Sequence, residues 1–191
     1  MLTFINRNLV GKCCVFILIF VFHSCHRLGK TDSNQYVSPR YVVLAEEIQY
    51  EVAIKLAKKF QMVPVGEGGS LYDCVNRLFL AFNIRGPLSK DQLRNILVDS
   101  VEEFIVAVNS NEEIRPYLKV YPFTANEIEI SLVVISRRGK ELCDPDIGSA
   151  TARKGRLIYK IRDKSDRFKI KSTITESYED ALSIVNMRKT E

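Results

Sequence analysis

The chain has 191 residues, of which 46% are hydrophobic and 27% are charged, so it is long enough for one globular domain with a packed core. The formal net charge is +5, which is too small an excess to indicate a nucleic-acid-binding protein. His23 and His26 are the two histidines, so the rest of the chain has none for Ser-His-Asp or Cys-His catalysis or for a histidine-ligated metal. We predict no catalytic residue, no metal site and no cofactor.

The N-terminal segment predicts a signal peptide over residues 1–24. Arg7 and Lys12 precede ten uncharged apolar residues, CCVFILIFVF at 13–22. A positive segment followed by a short apolar run is typical of export signals. A membrane-spanning helix needs about 20 apolar residues, so a retained helix is the weaker alternative.

The four residues Phe22–Cys25 (FHSC) resemble the lipobox of bacterial lipoproteins, in which a small residue precedes the cysteine that becomes the lipidated N-terminus. Ser24 and Cys25 match that pattern, whereas Phe22 stands where the family usually has Leu, and His23 is unusual. The resemblance implies lipidation of Cys25 and a location in the cell envelope, with the membrane as a partner. In that family an Asp after the cysteine signals inner-membrane retention. His26 therefore favours the periplasmic side of the outer membrane, and a protein without the lipid would be secreted.

Residues 25–39 are polar and predict a tether between the lipidated cysteine and the body. A first amphipathic helix is predicted over residues 40–61, where apolar residues recur every four positions. The segment VPVGEGGS then predicts a break. Ser70 with Asp73, and Ser89 with Gln92, are typical of capping boxes and predict second and third helices. The second helix uses Leu71, Val75, Leu78, Phe79 and Phe82 as its apolar stripe, and the third continues to about Asn109.

Beyond residue 126 the hydrophobic period changes to two, which predicts strands at 126–136, 156–162 and 168–174. Ser177 with Asp180 predicts a short final helix. We therefore expect residues 40–191 to form a single α+β domain. Three N-terminal helices would pack on a small antiparallel three-stranded meander, followed by a short C-terminal helix.

Positive charge is concentrated between residues 137 and 171, where twelve Lys or Arg residues face five acids. This imbalance predicts a basic surface for an anionic headgroup, an envelope polymer or an acidic protein. The alternative is a solvated sheet edge kept basic to resist strand pairing. The residues of the predicted surface are Arg137, Arg138, Lys160, Arg162, Lys169 and Lys171.

The connection at 111–130 is rich in proline and aromatic residues. Tyr117, Tyr121 and Phe123 predict either an aromatic binding surface or a segment that covers the core. Its EIRPYL and YPFT parts resemble segments of uncharacterised bacterial proteins, a resemblance that implies no function.

The two cysteines of the body, Cys74 and Cys143, would form a disulfide in an oxidising compartment or act as small buried apolar residues. GEGGS at 66–70 and DPDIGS at 144–149 lack the remaining residues of phosphate-binding and calcium loops, and are interpreted as connections. The expected function is a non-catalytic envelope interaction or accessory protein. The alternatives are a domain that binds a small ligand or anion, and an enzyme that relies on paired carboxylates such as Glu102–Glu103 or Glu127–Glu129. The sequence does not determine the oligomeric state.

Overall fold

A six-stranded mixed sheet forms the centre of the computed structural model, which describes residues 37–166 and 168–189. The strands lie side by side in chain order, and all neighbours are antiparallel except the second and third, which are parallel. The predicted signal peptide, Cys25 and most of the tether lie outside the described residues. The strands are β1 (Val63–Ser70), β2 (Arg77–Arg85), β3 (Ile128–Ile135), β4 (Ser149–Arg153), β5 (Arg156–Arg162) and β6 (Ile170–Ser177).

The helices are α1 (Arg40–Phe60), α2 (Lys90–Ser110) and α3 (Tyr178–Lys189). α2 connects the parallel strands β2 and β3, because parallel neighbours need a long crossover connection. It begins at the predicted capping box, in which Ser89 and Gln92 exchange side-chain and backbone hydrogen bonds. α3 begins where the Ser177 hydroxyl accepts the backbone N–H of Asp180. None of the helices in the described residues is long and apolar enough to cross a membrane.

The core lies between the helices and one face of the sheet. Alternate residues of β2 to β5 are buried, and the strand register places them on the same face. Ala150 and Ala152 are small, which lets α2 approach β4. The other face of the sheet, which we call the open face, carries half-buried and exposed side chains such as Phe79, Thr151 and Ile158.

The predicted arrangement of three N-terminal helices on a three-stranded meander is wrong. The fold is α+β, but its sheet has six strands, one helix lies between strands, and one follows them. The predicted second helix is strand β2, because Leu78, Leu80, Phe82 and Ile84 alternate onto the buried face. The presumed break before it is strand β1, and the short strand β4 was not predicted.

Candidate functional site

The outer edge of β6 is an unpaired row of backbone groups at the end of the sheet. The N–H of Tyr178 donates to the carbonyl of Gly155 at 2.9 Å, in register with the β5–β6 ladder. Because bonding alternates along an antiparallel strand, Ser172, Ile174 and Glu176 bond to β5, whereas Thr173 and Thr175 direct their N–H and C=O groups outward. Within the described residues, no backbone group bonds to the outward N–H and C=O groups of Thr173 and Thr175. We call Ser172–Ser177 the β6 edge.

The hairpin that leads into the β6 edge is strongly basic. Residues 160–171 include six Lys or Arg and two Asp. Lys160 is exposed on the open face, directly opposite Thr173 in the register. Among the described residues, neither Lys160 nor Arg156, four positions earlier on the same strand, has an ion-pair partner. The β6 edge is therefore bordered by cations that can attract a negatively charged segment.

The structure separates the residues of the predicted basic surface. Arg162 pairs with Glu141 at 2.5 Å, and Lys171 pairs with Asp144 at 2.6 Å. Lys171 lies at an irregularity where Arg162 pairs with Ile170 instead of residue 171, which interrupts the alternation assumed from the sequence. Lys169 is exposed, and Arg137 and Arg138 are exposed in the turn after β3.

Sequence reasoning missed a second basic group at the β4–β5 turn, four residues before Lys160, formed by Arg153, Lys154 and Arg156. Lys154 and Gly155 have φ values of 49° and 66°, so they form the two-residue turn between β4 and β5. The dipeptide Lys-Gly before RLIYKIR was the signal that could have predicted this hairpin. Arg153 also contacts Glu129 at 3.2 Å, whereas Arg156 projects beside it from the open face.

A buried ionic cluster fixes the C-terminal end of the β6 edge. Glu176 accepts two hydrogen bonds from the Arg94 guanidinium at 2.8 Å, one from the Tyr159 hydroxyl at 2.6 Å, and an ion-pair contact from Lys90 at 2.8 Å. Burial opposes ionisation of Glu176, but the bonds from Arg94, Lys90 and Tyr159 outweigh it and lower its pKa to about 2. Both carboxylate oxygens are occupied, so Glu176 acts as a structural anchor and does not suit general acid/base catalysis.

The carboxylate pairs considered for catalysis are engaged separately with their own neighbours. Lys55 donates to Glu103 and lowers its pKa, while Glu102 accepts the Tyr178 hydroxyl at 2.6 Å. Glu127 accepts the N–H of Thr124 at 2.9 Å, and Glu129 pairs with arginine. Within the described residues, no group of three or more His, Cys, Asp or Glu side chains is placed to hold a metal ion.

The thiols of Cys74 and Cys143 are both free in the structure. Cys74 lies between β1 and β2, and desolvation together with the neighbouring Asp73 raises its pKa. A raised pKa lowers the thiolate fraction at neutral pH and hence the nucleophilicity of the residue.

The predicted aromatic surface is divided by burial. Phe123 is 1% exposed and belongs to the core, whereas Tyr117 and Tyr121 are 37% and 50% exposed. Tyr117 lies against Tyr41, with ring centroids 5.8 Å apart, and the Arg115 guanidinium lies 4.9 Å from the centre of the Tyr121 ring. The two tyrosines thus contact different neighbours, and the three aromatic side chains do not form one exposed surface.

No protein-family model, curated protein or solved structure matches the chain.

Proposed function

We propose that this protein is a non-catalytic interaction protein of the bacterial cell envelope, lipid-anchored at Cys25, which binds an acidic extended segment of a partner protein along the β6 edge. The observation that carries the binding proposal is the unpaired outward row at Thr173 and Thr175 beside a hairpin with six cations and two acids. An extended peptide adds to such an edge through main-chain hydrogen bonds, while side-chain charge selects the peptide.

Charge favours a partner protein over a second copy of this chain at the β6 edge. Parallel pairing of two β6 edges would bring two basic hairpins together, and like charges in direct opposition are destabilising. An acidic strand removes that repulsion and meets Lys160 on the open face. The cations therefore resist self-pairing and attract a complementary strand.

Peptide titration of the full-length chain in detergent micelles tests this binding mode. The probe is an eight-residue acetylated peptide that alternates Glu and Val, and its matched control alternates Lys and Val. We expect the acidic peptide to slow hydrogen exchange at the Thr173 and Thr175 amides and to bind more weakly as salt rises. Equal binding of both peptides would contradict the charge selection.

Proline substitution separates strand addition from simple charge attraction. Thr173→Pro removes an outward N–H without removing a ladder bond and should weaken acidic-peptide binding about tenfold or more. Thr173→Val keeps the N–H and should bind like the native protein. A soluble anionic polymer, polyphosphate, serves as the comparison. If the acidic peptide and polyphosphate both bind Thr173→Pro as tightly as the native chain, the protein recognises charge alone and strand addition is wrong.

The proposed anchor is tested by metabolic labelling with an alkyne-bearing fatty acid. Cys25→Ala should abolish labelling and release the protein from the membrane fraction, because attachment of acyl chains supplies the membrane affinity. Cys14→Ala, which changes a cysteine of the predicted signal peptide, is the matched control and should label normally. A Cys25→Ala protein that still labels would refute lipidation at this residue without affecting the peptide experiment.

A further inference from the structure

A cavity of about 500 Å³ lies between α2, α3, the Phe123–Asn126 segment and the β4–β5 turn. Its volume lies within the range of about 300–1,000 Å³ that is usual for small-molecule sites. The apolar part of its lining comes from Ile105, Phe123, Ala125 and Leu182. The cavity is outside the β6 edge, although Ser177 borders both.

Two hydrogen-bonded pairs hold the walls of the cavity in place. The Asn109 side chain bonds the backbone of Phe123 twice, accepting its N–H at 2.8 Å and donating to its carbonyl at 3.0 Å. The buried Tyr178 hydroxyl donates to Glu102 Oε1 at 2.6 Å, and burial together with Glu102 raises the Tyr178 pKa, so the phenol stays protonated. The apolar floor and one polar wall are therefore preorganised.

Groups of opposite charge line the same cavity. Glu102 Oε2 accepts no hydrogen bond from any described residue, and Lys154 has no ion-pair partner among them. Glu179 adds a second carboxylate, so the lining carries two acids and one ammonium group. A simple anion meets a net negative lining and is disfavoured, whereas a molecule with both charges is matched by Glu102 and Lys154.

We infer that this cavity binds a small apolar zwitterion of amino-acid type. The ligand's ammonium group donates to Glu102, its carboxylate meets Lys154, and its apolar side chain lies on the half-buried Ile105 and Leu182. The turn residue Gly155 allows the Asn126 side chain to approach, since a Cβ atom at Gly155 would lie 2.8 Å from Asn126 Oδ1. Asn126 thereby supplies an additional polar group at the rim.

Calorimetric titration with three related probes tests the inference on the full-length chain. L-Phenylalanine carries both charges, phenethylamine lacks the carboxylate, and 3-phenylpropionate lacks the ammonium group. We expect saturable binding of phenylalanine below about 10 mM, and binding at least about tenfold weaker for each truncated probe, because each loses a charged contact. Absence of saturable phenylalanine binding, or equal binding of either truncated probe, would overturn the inference.

Two conservative variants assign the charges to residues. Glu102→Gln still accepts the Tyr178 hydroxyl, so the wall is preserved, and it should weaken phenylalanine but not 3-phenylpropionate. Lys154→Gln should weaken phenylalanine but not phenethylamine. Unchanged amide spectra away from the cavity establish that both variants are folded. Equal phenylalanine affinity of the native protein and either variant would contradict the assignment, and neither result depends on peptide binding at the β6 edge.

Discussion

The two edges of the same sheet differ in how they present backbone groups. β1 contains Pro64, which has no N–H, an irregularity between Pro64 and Gly66, and two further glycines. The β6 edge has neither proline nor glycine, and its outward groups at Thr173 and Thr175 meet no described residue.

This difference suggests two ways of managing a sheet edge. β1 is protected by backbone chemistry that any approaching strand encounters, whatever its charge. The β6 edge keeps a regular backbone and depends on the surrounding cations, which discriminate between approaching strands. An edge of the second kind can remain monomeric and still accept an acidic partner. Four predictions test this distinction.

Removing Glu176, which anchors the β6 edge to Arg94, should have the largest effect on stability. Glu176→Ala leaves the Arg94 guanidinium, whose side chain is 7% exposed, without its main partner. We expect a loss of about 3–5 kcal/mol in the free energy of unfolding, measured by urea denaturation. Glu179→Ala, an exposed change on the next element, should alter it by less than about 0.5 kcal/mol. Similar losses in both variants would show that the cluster does not hold the edge.

Proline at adjacent positions of β6 should have unequal effects. Ile174→Pro removes the N–H that bonds to Tyr159 across the ladder and should cost about 3 kcal/mol, because a carbonyl is left without its donor. Thr173→Pro removes only an outward N–H and should cost about 1 kcal/mol or less. The comparison is made by urea denaturation, and equal losses would mean that the assignment of inward and outward groups is wrong.

Low pH should reduce the contribution of Glu176 to the free energy of unfolding. The pKa of Glu176 is lowered to about 2 in the folded protein, whereas an unperturbed glutamate titrates near about 4.3. Its stabilisation is therefore complete above the unfolded pKa and is lost as the pH falls through the folded pKa. The stability difference between the native protein and Glu176→Gln should be constant above about pH 5 and shrink between about pH 4.5 and 2. A pH-independent difference would contradict the role of ionised Glu176.

Local sequence patterns were sufficient to predict the elements in which the hydrophobic period and the capping residues indicate the same structure. The helices α1, α2 and α3 and the strands β3, β5 and β6 lie close to the predicted segments because their apolar spacing is regular. β2 was mistaken for a helix since Leu78, Phe79 and Phe82 also fit a helical stripe, and its leucines and alanine have little strand preference. Pairing with β1 and β3 stabilises this segment as a strand.

The candidate site was predictable only in part. The excess of Lys and Arg is visible in the sequence, but the position of β6 at the end of the sheet depends on strand order, which no local pattern encodes. Arg94 and Glu176 are 82 residues apart along the chain, so their pairing required the fold. The basic group at Arg153 and Arg156 was missed because SATAR has weak strand preference, which hid the hairpin.

Replacing Pro64, one of the features that protect β1, should have the smallest effect on peptide binding and on stability. Pro64→Thr restores a backbone N–H, but the neighbouring irregularity and the glycines at 66, 68 and 69 remain. Since three features protect this edge together, we expect less than about a twofold gain in acidic-peptide binding and a stability change within about 0.5 kcal/mol. Hydrogen exchange at β1 amides, followed with and without the alternating Glu-Val peptide, provides the measurement. Strong protection of β1 in the variant would mean that proline alone separates the two edges, and that the cations beside β6 are not needed to explain their difference.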